Sequence, residues 1–368
     1  MNPDAKNQEP GSLGEKMSFS QFMADALYGP NGYYTNFVNI GGDGADFYTA
    51  ALSPLFSSTL GRHVVDRWQH FGSPELLQVV EIGAGQGELA VGVCQWLEAV
   101  LPTAIEVHYV IVDVSSRLEQ KQKQKLLGAD GPSKSRIHFR WGLPSEDLPT
   151  VVLANEVLDA LPVERVRRTK LGWQQAYVDR AGDSEPAVLV WKSAPPHLCH
   201  TADRFVACPV DMEAEVCLSY ADFFTRLATY GGPLEAAFFD YGITRAEWES
   251  GIRPKGTIRA YARHQVLDVL ANPGTMDLTA DVNWDHVQDV AREAGFEVVA
   301  LTSQADFLMR FGILEVLQAH QETTQTAAGA IKQAALAAQF KQLVFPGGMG
   351  ERFSVMTCSI NERRNAHA

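Results

Sequence analysis

The segment Val79-Val80-Glu81-Ile82-Gly83-Ala84-Gly85-Gln86-Gly87-Glu88 constrains the fold more than any other part of the chain. An apolar run that ends in three alternating glycines reads as a buried strand, a tight turn and a helix start. Glycine permits the turn and leaves room for a ligand against the strand end and the helix N-terminus. Helix-like Glu88–Val100, strand-like Val107–Val112, helix-like Arg117–Leu127, strand-like Arg136–Arg140 and apolar Val151–Ala154 continue the alternation. This pattern predicts an α/β fold, a Rossmann-like parallel sheet with helices on both faces.

The turn also restricts the ligand. A dinucleotide fingerprint reads G-x-G-x-x-G, with the pyrophosphate on the helix N-terminus. Here the third glycine comes one residue early and Glu88 takes its place, where a carboxylate disfavours a pyrophosphate. Asp113 follows the second strand, Tyr109-Val110-Ile111-Val112, where a carboxylate is a good acceptor for ribose hydroxyls. Glu81, the turn and Asp113 together resemble the S-adenosylmethionine site of class I methyltransferases. The candidate cofactor residues are Glu81, Gly83, Ala84, Gly85, Gly87 and Asp113, with Trp141 as an apolar wall for adenine and Asn155 at the end of the fourth strand. The rival on the same topology is a nicotinamide oxidoreductase.

Around this core, 76–162 and 233–360, the pattern changes twice. Residues 1–75 read as an N-terminal segment over the site, with an amphipathic helix on Phe19, Phe22, Met23, Ala26 and Leu27 that ends at Gly29-Pro30. Residues 163–232 read as an α+β insertion on the substrate side, with antiparallel strands Gln174–Asp179 and Ala187–Lys192 and a helix over Asp211–Ala228. The core resumes with strands Ala236–Tyr241, Phe296–Thr302 and Phe353–Ile360, the late ones antiparallel edges of the sheet.

Five blocks carry a family resemblance: Tyr28-Gly29-Pro30-Asn31-Gly32-Tyr33-Tyr34, Asp46-Phe47-Tyr48-Thr49-Ala50, Asn155-Glu156-Val157-Leu158-Asp159-Ala160-Leu161-Pro162, Phe239-Asp240-Tyr241-Gly242 and Asp277-Leu278-Thr279-Ala280-Asp281-Val282. They resemble the signature blocks of the MidA family, which is similar to the mitochondrial arginine methyltransferase that helps assemble respiratory complex I. The resemblance implies a protein-arginine methyltransferase that uses S-adenosylmethionine, with a protein partner such as a respiratory-complex subunit. One departure stands out: in the N-terminal loop the family usually reads Gly-Asp-Phe, two residues, then Pro-Glu-x-Ser, and this chain has Ala45-Asp46-Phe47 and later Ala51-Leu52-Ser53. The missing carboxylate keeps open a silent, cofactor-binding assembly chaperone.

A guanidinium has a pKa above about 12 and is a poor nucleophile until carboxylates orient it. Glu156 and Asp159, just past the fourth strand, are the candidate catalytic acids. If a helix begins there, their i, i+3 spacing puts both on one face. Asp46, Phe47, Asp240 and Tyr241 are the candidate substrate-side residues, although Asp240 could equally bond backbone amides.

Composition removes other classes. With 31 basic against 44 acidic residues the net charge is −13, which repels nucleic acid. Five scattered cysteines make no disulfide framework, and Cys199, Cys208 and Cys217 lack a zinc spacing, so no metal is expected. No apolar run is long enough for a membrane span, and residues 1–16 lack the features of a targeting peptide, so the expected location is the cytoplasm.

Overall fold

The computed structural model describes residues 16–37, 49–129, 131–132, 135–145, 147–179, 186–230, 232–262, 265–321 and 327–361. The chain divides into two compact units. One takes Leu161–Ser219, Thr244–Ala280 and the described part of Met1–Phe37; the other takes Val38–Ala160, Tyr220–Ile243 and Asp281–Ala368.

The second unit is built on one large sheet. Its strands in chain order are β1 (Leu76–Ile82), β2 (Glu106–Val112), β3 (Ile137–Trp141), β4 (Thr150–Asn155), β5 (Leu234–Ile243), β6 (Glu297–Ser303) and β7 (Phe353–Ile360). They lie in the order β3-β2-β1-β4-β5-β7-β6, and Val282–Asn283 adds a short parallel pairing to β5. From β3 to β5 every pairing is parallel; β7 runs antiparallel to both β5 and β6. The last strand is therefore wedged inside the sheet, whereas the sequence reading put it at an edge. Its apolar residues explain this, since Phe353, Val355, Met356 and Cys358 are all buried.

β1 is central and buried from Leu77 to Ile82, which is why it reads as an apolar run without alternation. Chain order reverses between β1 and β4, and in open α/β sheets that switch opens a crevice at the carboxyl ends. The helix Glu88–Val100 leaves β1 through the glycine turn and packs closely on the helix Pro54–His70. Gly92 allows the approach: a Cβ there would fall 2.0 Å from Ser57 Oγ.

The first unit carries a smaller antiparallel sheet. Gly172–Asp179 pairs with Val188–Ser193, with Glu164–Thr169 and with Met17–Ser18, and Glu213–Val216 pairs with Glu164–Thr169. The expected N-terminal segment 1–75 is thus divided between the units, and 244–280 joins the insertion strands. Ser18 shows why: it caps the helix Phe19–Tyr28 and donates its hydroxyl to Glu164 Oε1 at 2.8 Å. The helix expected over Asp211–Ala228 becomes a strand followed by the helix Tyr220–Leu227. Strand pairing with Glu164–Arg167 outweighs helical periodicity there. Three arginines of Glu164–Thr169 find partners locally: Arg165 pairs with Glu213 and Arg168 with Asp203, while Arg167 lies over the Trp191 ring. Among the described residues, no helix is long and apolar enough to cross a membrane.

Candidate cofactor and catalytic site

The glycine turn forms as the sequence requires. Gly83, Gly85 and Gly87 have φ of 67°, 53° and 89°, left-handed values that side-chain-bearing residues rarely adopt. The Gly83 amide donates to Val112 O at 3.0 Å, which ties the turn to the end of β2, and Gly87 N–H closes onto Ala84 O at 2.8 Å. A Cβ on Gly83 would come 3.0 Å from Val157 Cγ2, so the turn also packs against the segment after β4. Glu88 opens the helix and pairs with Lys125.

Glu81 is buried and accepts the Tyr109 hydroxyl at 2.5 Å. Burial pushes its pKa up to about 8, opposed by the Tyr109 hydrogen bond. Asp113 sits just past β2, where Oδ1 accepts the Ser115 amide at 3.0 Å and Oδ2 accepts Gln122 Nε2 at 2.9 Å. Burial pushes this carboxyl upward too, opposed by those hydrogen bonds. It keeps room for a ligand donor, since a carboxylate offers about four lone-pair sites. If these accept ribose hydroxyls, Asp113→Ala should weaken S-adenosylhomocysteine binding by about 1.5–3 kcal/mol, the worth of a hydrogen bond to a charged group. Calorimetry checks this, and unchanged affinity in the variant would remove Asp113 from the site.

Trp141 closes β3 with its indole N–H on Gln122 Oε1 at 3.0 Å and the Lys123 ammonium over its ring. Asn155 closes β4, beside the end of β1, where Ile82 is in register with Ala154. Its Nδ2 donates to Glu156 Oε1 at 2.9 Å and to Thr49 Oγ1 at 3.3 Å, which fixes which way the amide points. Its Oδ1 is then buried with no partner among the described residues, an acceptor that a bound N–H donor would satisfy.

No helix begins at Glu156, and the i, i+3 argument lapses. Glu156 itself has φ of 53°, a strained value for a side-chain-bearing residue. Asp240 explains the turn. Fully buried at the middle of the Phe239–Gly242 block, its Oδ2 accepts the amides of Val157, Leu158 and Asp159 at 3.2, 3.0 and 3.2 Å, and its Oδ1 accepts Tyr241 N–H at 3.0 Å. This loop brings the two acids together in another way. Glu156 accepts the Thr49 hydroxyl at 2.5 Å, and buried Asp159 accepts the Tyr241 hydroxyl. Burial first, opposed by the Thr49 hydrogen bond and assisted by the charge of Asp159, pushes the Glu156 carboxyl up to about 7. Burial and the charges of Asp159 and Glu156 push Asp240 well above the usual carboxylate range.

Asp46 and Phe47 lie outside the described residues. Leu52, at the family's Glu position, lies in the 3-10 turn Ala50–Leu52, which Thr49 caps. Sequence reasoning missed Thr49, Tyr109 and Gln122. For Gln122 a signal existed: it interrupts the apolar stripe Leu118, Gln122, Leu126 at helical spacing, and all three are buried.

The residues fit S-adenosylmethionine: a left-handed glycine turn after β1, a carboxylate past the end of β2 on one side of it and an orphaned acceptor at the end of β4 on the other. Comparison with known proteins agrees. The protein arginine methyltransferase NDUFAF7, mitochondrial, of Danio rerio is 30% identical over 92% of this chain and 82% of its own length. That of Xenopus tropicalis is 31% identical over 81% of this chain and 72% of its own length. A crystal structure from Burkholderia thailandensis, bound to S-adenosyl-homocysteine, is 31% identical with a TM-score of 0.82, covering 95% of this chain and 89% of that one. The sequence profile of a family of S-adenosyl-L-methionine-dependent methyltransferases matches residues 59–302, and the chain belongs to that family: it is a methyltransferase with a Rossmann-like fold whose cofactor is S-adenosylmethionine.

Proposed function

We propose that the chain is a protein-arginine N-methyltransferase, acting on a respiratory-complex subunit as the family resemblance implies. The observation that carries this reading is the cluster of Glu156 and Asp159, just past the end of β4, with Asp240 inside the neighbouring β5, beside the glycine turn. Three carboxyls held this close and this deep are costly without a cation to share. A planar guanidinium is the cation that carboxylates recognise best.

The roles follow from the contacts. The Gly83–Gly87 turn and Asp113 hold the cofactor, which supplies an electrophilic methyl group on a sulfonium. Asn155 Oδ1 accepts an N–H from the bound ligands, and Thr49 and Asn155 fix the Glu156 carboxyl. Asp240 acts through the backbone, holding the loop that carries both acids. When the N–C bond forms and the S–C bond breaks, the methylated guanidinium gives up one proton. Glu156, its carboxyl pushed up to about 7 by burial, is poised to take it.

The test is mass spectrometry of a protein extract from a deletion strain, incubated with the purified chain and methyl-labelled S-adenosylmethionine. Label on arginine side chains supports the proposal. Label confined to lysine, to small molecules or to nucleic acid overturns it.

A further inference from the structure

Gln122 is fully buried in the helix Ser116–Leu127, between Leu118 and Leu126 on one stripe. Burying a primary amide is costly unless its hydrogen bonds are made. This one makes three, each to a different part of the candidate cofactor site. Nε2 donates to Gly85 O at 2.8 Å and to Asp113 Oδ2 at 2.9 Å, and Oε1 accepts the Trp141 indole N–H at 3.0 Å. The helix backbone is close as well, since a Cβ on Gly87 would lie 3.7 Å from Gln122 Cα.

We propose that Gln122 is the positioning residue of the cofactor site, joining the glycine turn, the ribose acceptor and the wall at the end of β3 into one unit set before the ligand arrives. The polarity of its three neighbours selects the residue type. A carbonyl and a carboxylate each need a donor, while the indole N–H needs an acceptor. Glutamate lacks the donors, and lysine and arginine lack the acceptor. Asparagine carries the same groups on a side chain one methylene shorter, which draws the amide back from all three partners.

The amide acts through Asp113. Its N–H opposes the upward push of burial on that carboxyl and fixes which lone pairs remain for the ligand. It also pins the Gly85 carbonyl, and with it the left-handed backbone at φ of 53°. A site fixed in advance loses less freedom on binding, and that is where the affinity comes from.

The inference rests on the reading that Gly85 and Asp113 hold S-adenosylmethionine, and calorimetry with S-adenosylhomocysteine tests the two separately. Gln122→Met should weaken binding about tenfold or more, the loss of one hydrogen bond to a charged group. In an Asp113→Ala background the same change should cost much less, because its target is gone. Gln122→Glu should bind progressively worse as pH rises and the new carboxylate ionises beside Asp113, a trend absent from wild type. This second variant decides the matter if Gln122→Met does not fold. Wild-type affinity in Gln122→Met, an equal loss in both backgrounds, or a pH-independent Gln122→Glu would overturn the proposal and leave a packing residue. Wild-type affinity in both Gly85→Val and Asp113→Ala would overturn the cofactor site itself.

Discussion

Replacing Glu156 by glutamine should lower arginine methylation by about 10²–10³-fold, the scale of losing one preorganised electrostatic group, and leave S-adenosylhomocysteine affinity within about twofold of wild type. The amide keeps the shape of the side chain and an oxygen that can still accept the Thr49 hydroxyl at Glu156. What it loses is the charge that orients a guanidinium and the base that takes its proton. Asp159→Asn should act in the same direction, because its charge lies beside Glu156 in the same buried cluster. The pH dependence distinguishes this from simple damage. With the Glu156 carboxyl raised to about 7, kcat/KM should climb with pH through that region as the cluster ionises. The limb belongs to the coupled carboxyls rather than to one of them. In Glu156→Gln the limb should flatten or move. A variant with wild-type turnover and an unchanged limb would show that Glu156 only supports the loop after β4.

How much of this was legible in the sequence depends on the kind of feature. The turn at Gly83–Gly87 was visible because left-handed backbone selects glycine one residue at a time, and all three have positive φ. β1, β2 and β4 were visible because strands buried on both faces read as apolar runs. Placement was not. The final strand reads the same whether it edges a sheet or lies between β5 and β6, since pairing partners leave no local mark. The acids were found by their position after β4, but the helix expected to align them is absent. Its disruption comes from Asp240, more than eighty residues later in the chain, whose carboxyl captures three successive amides. A long-range side-chain contact of that kind has no periodicity. Gln122 lay between these cases: a lone amide in an apolar stripe is a visible anomaly, but its three partners emerge only when the helix is folded against the turn.

Gly85→Val should abolish detectable S-adenosylhomocysteine binding, a loss of about 100-fold or more, in a protein that still folds. The residue sits at φ of 53°, where a β-branched side chain is strained by about 1–3 kcal/mol. A domain with about 5–15 kcal/mol of stability survives that. The cofactor site does not, because relieving the strain moves the Gly85 carbonyl off Gln122 and the turn out of register with Asp113. Strain alone must be separated from loss of the site, and Gly172 provides the control. It has φ of 118° with open space where a Cβ would go, and it belongs to the other compact unit. Gly172→Val should therefore lower the melting temperature by a comparable amount and bind S-adenosylhomocysteine as wild type does. If both variants lose binding in step with stability, the effect at Gly85 is global destabilisation. If Gly85→Val melts cooperatively and still binds, the glycine turn is not where the cofactor rests.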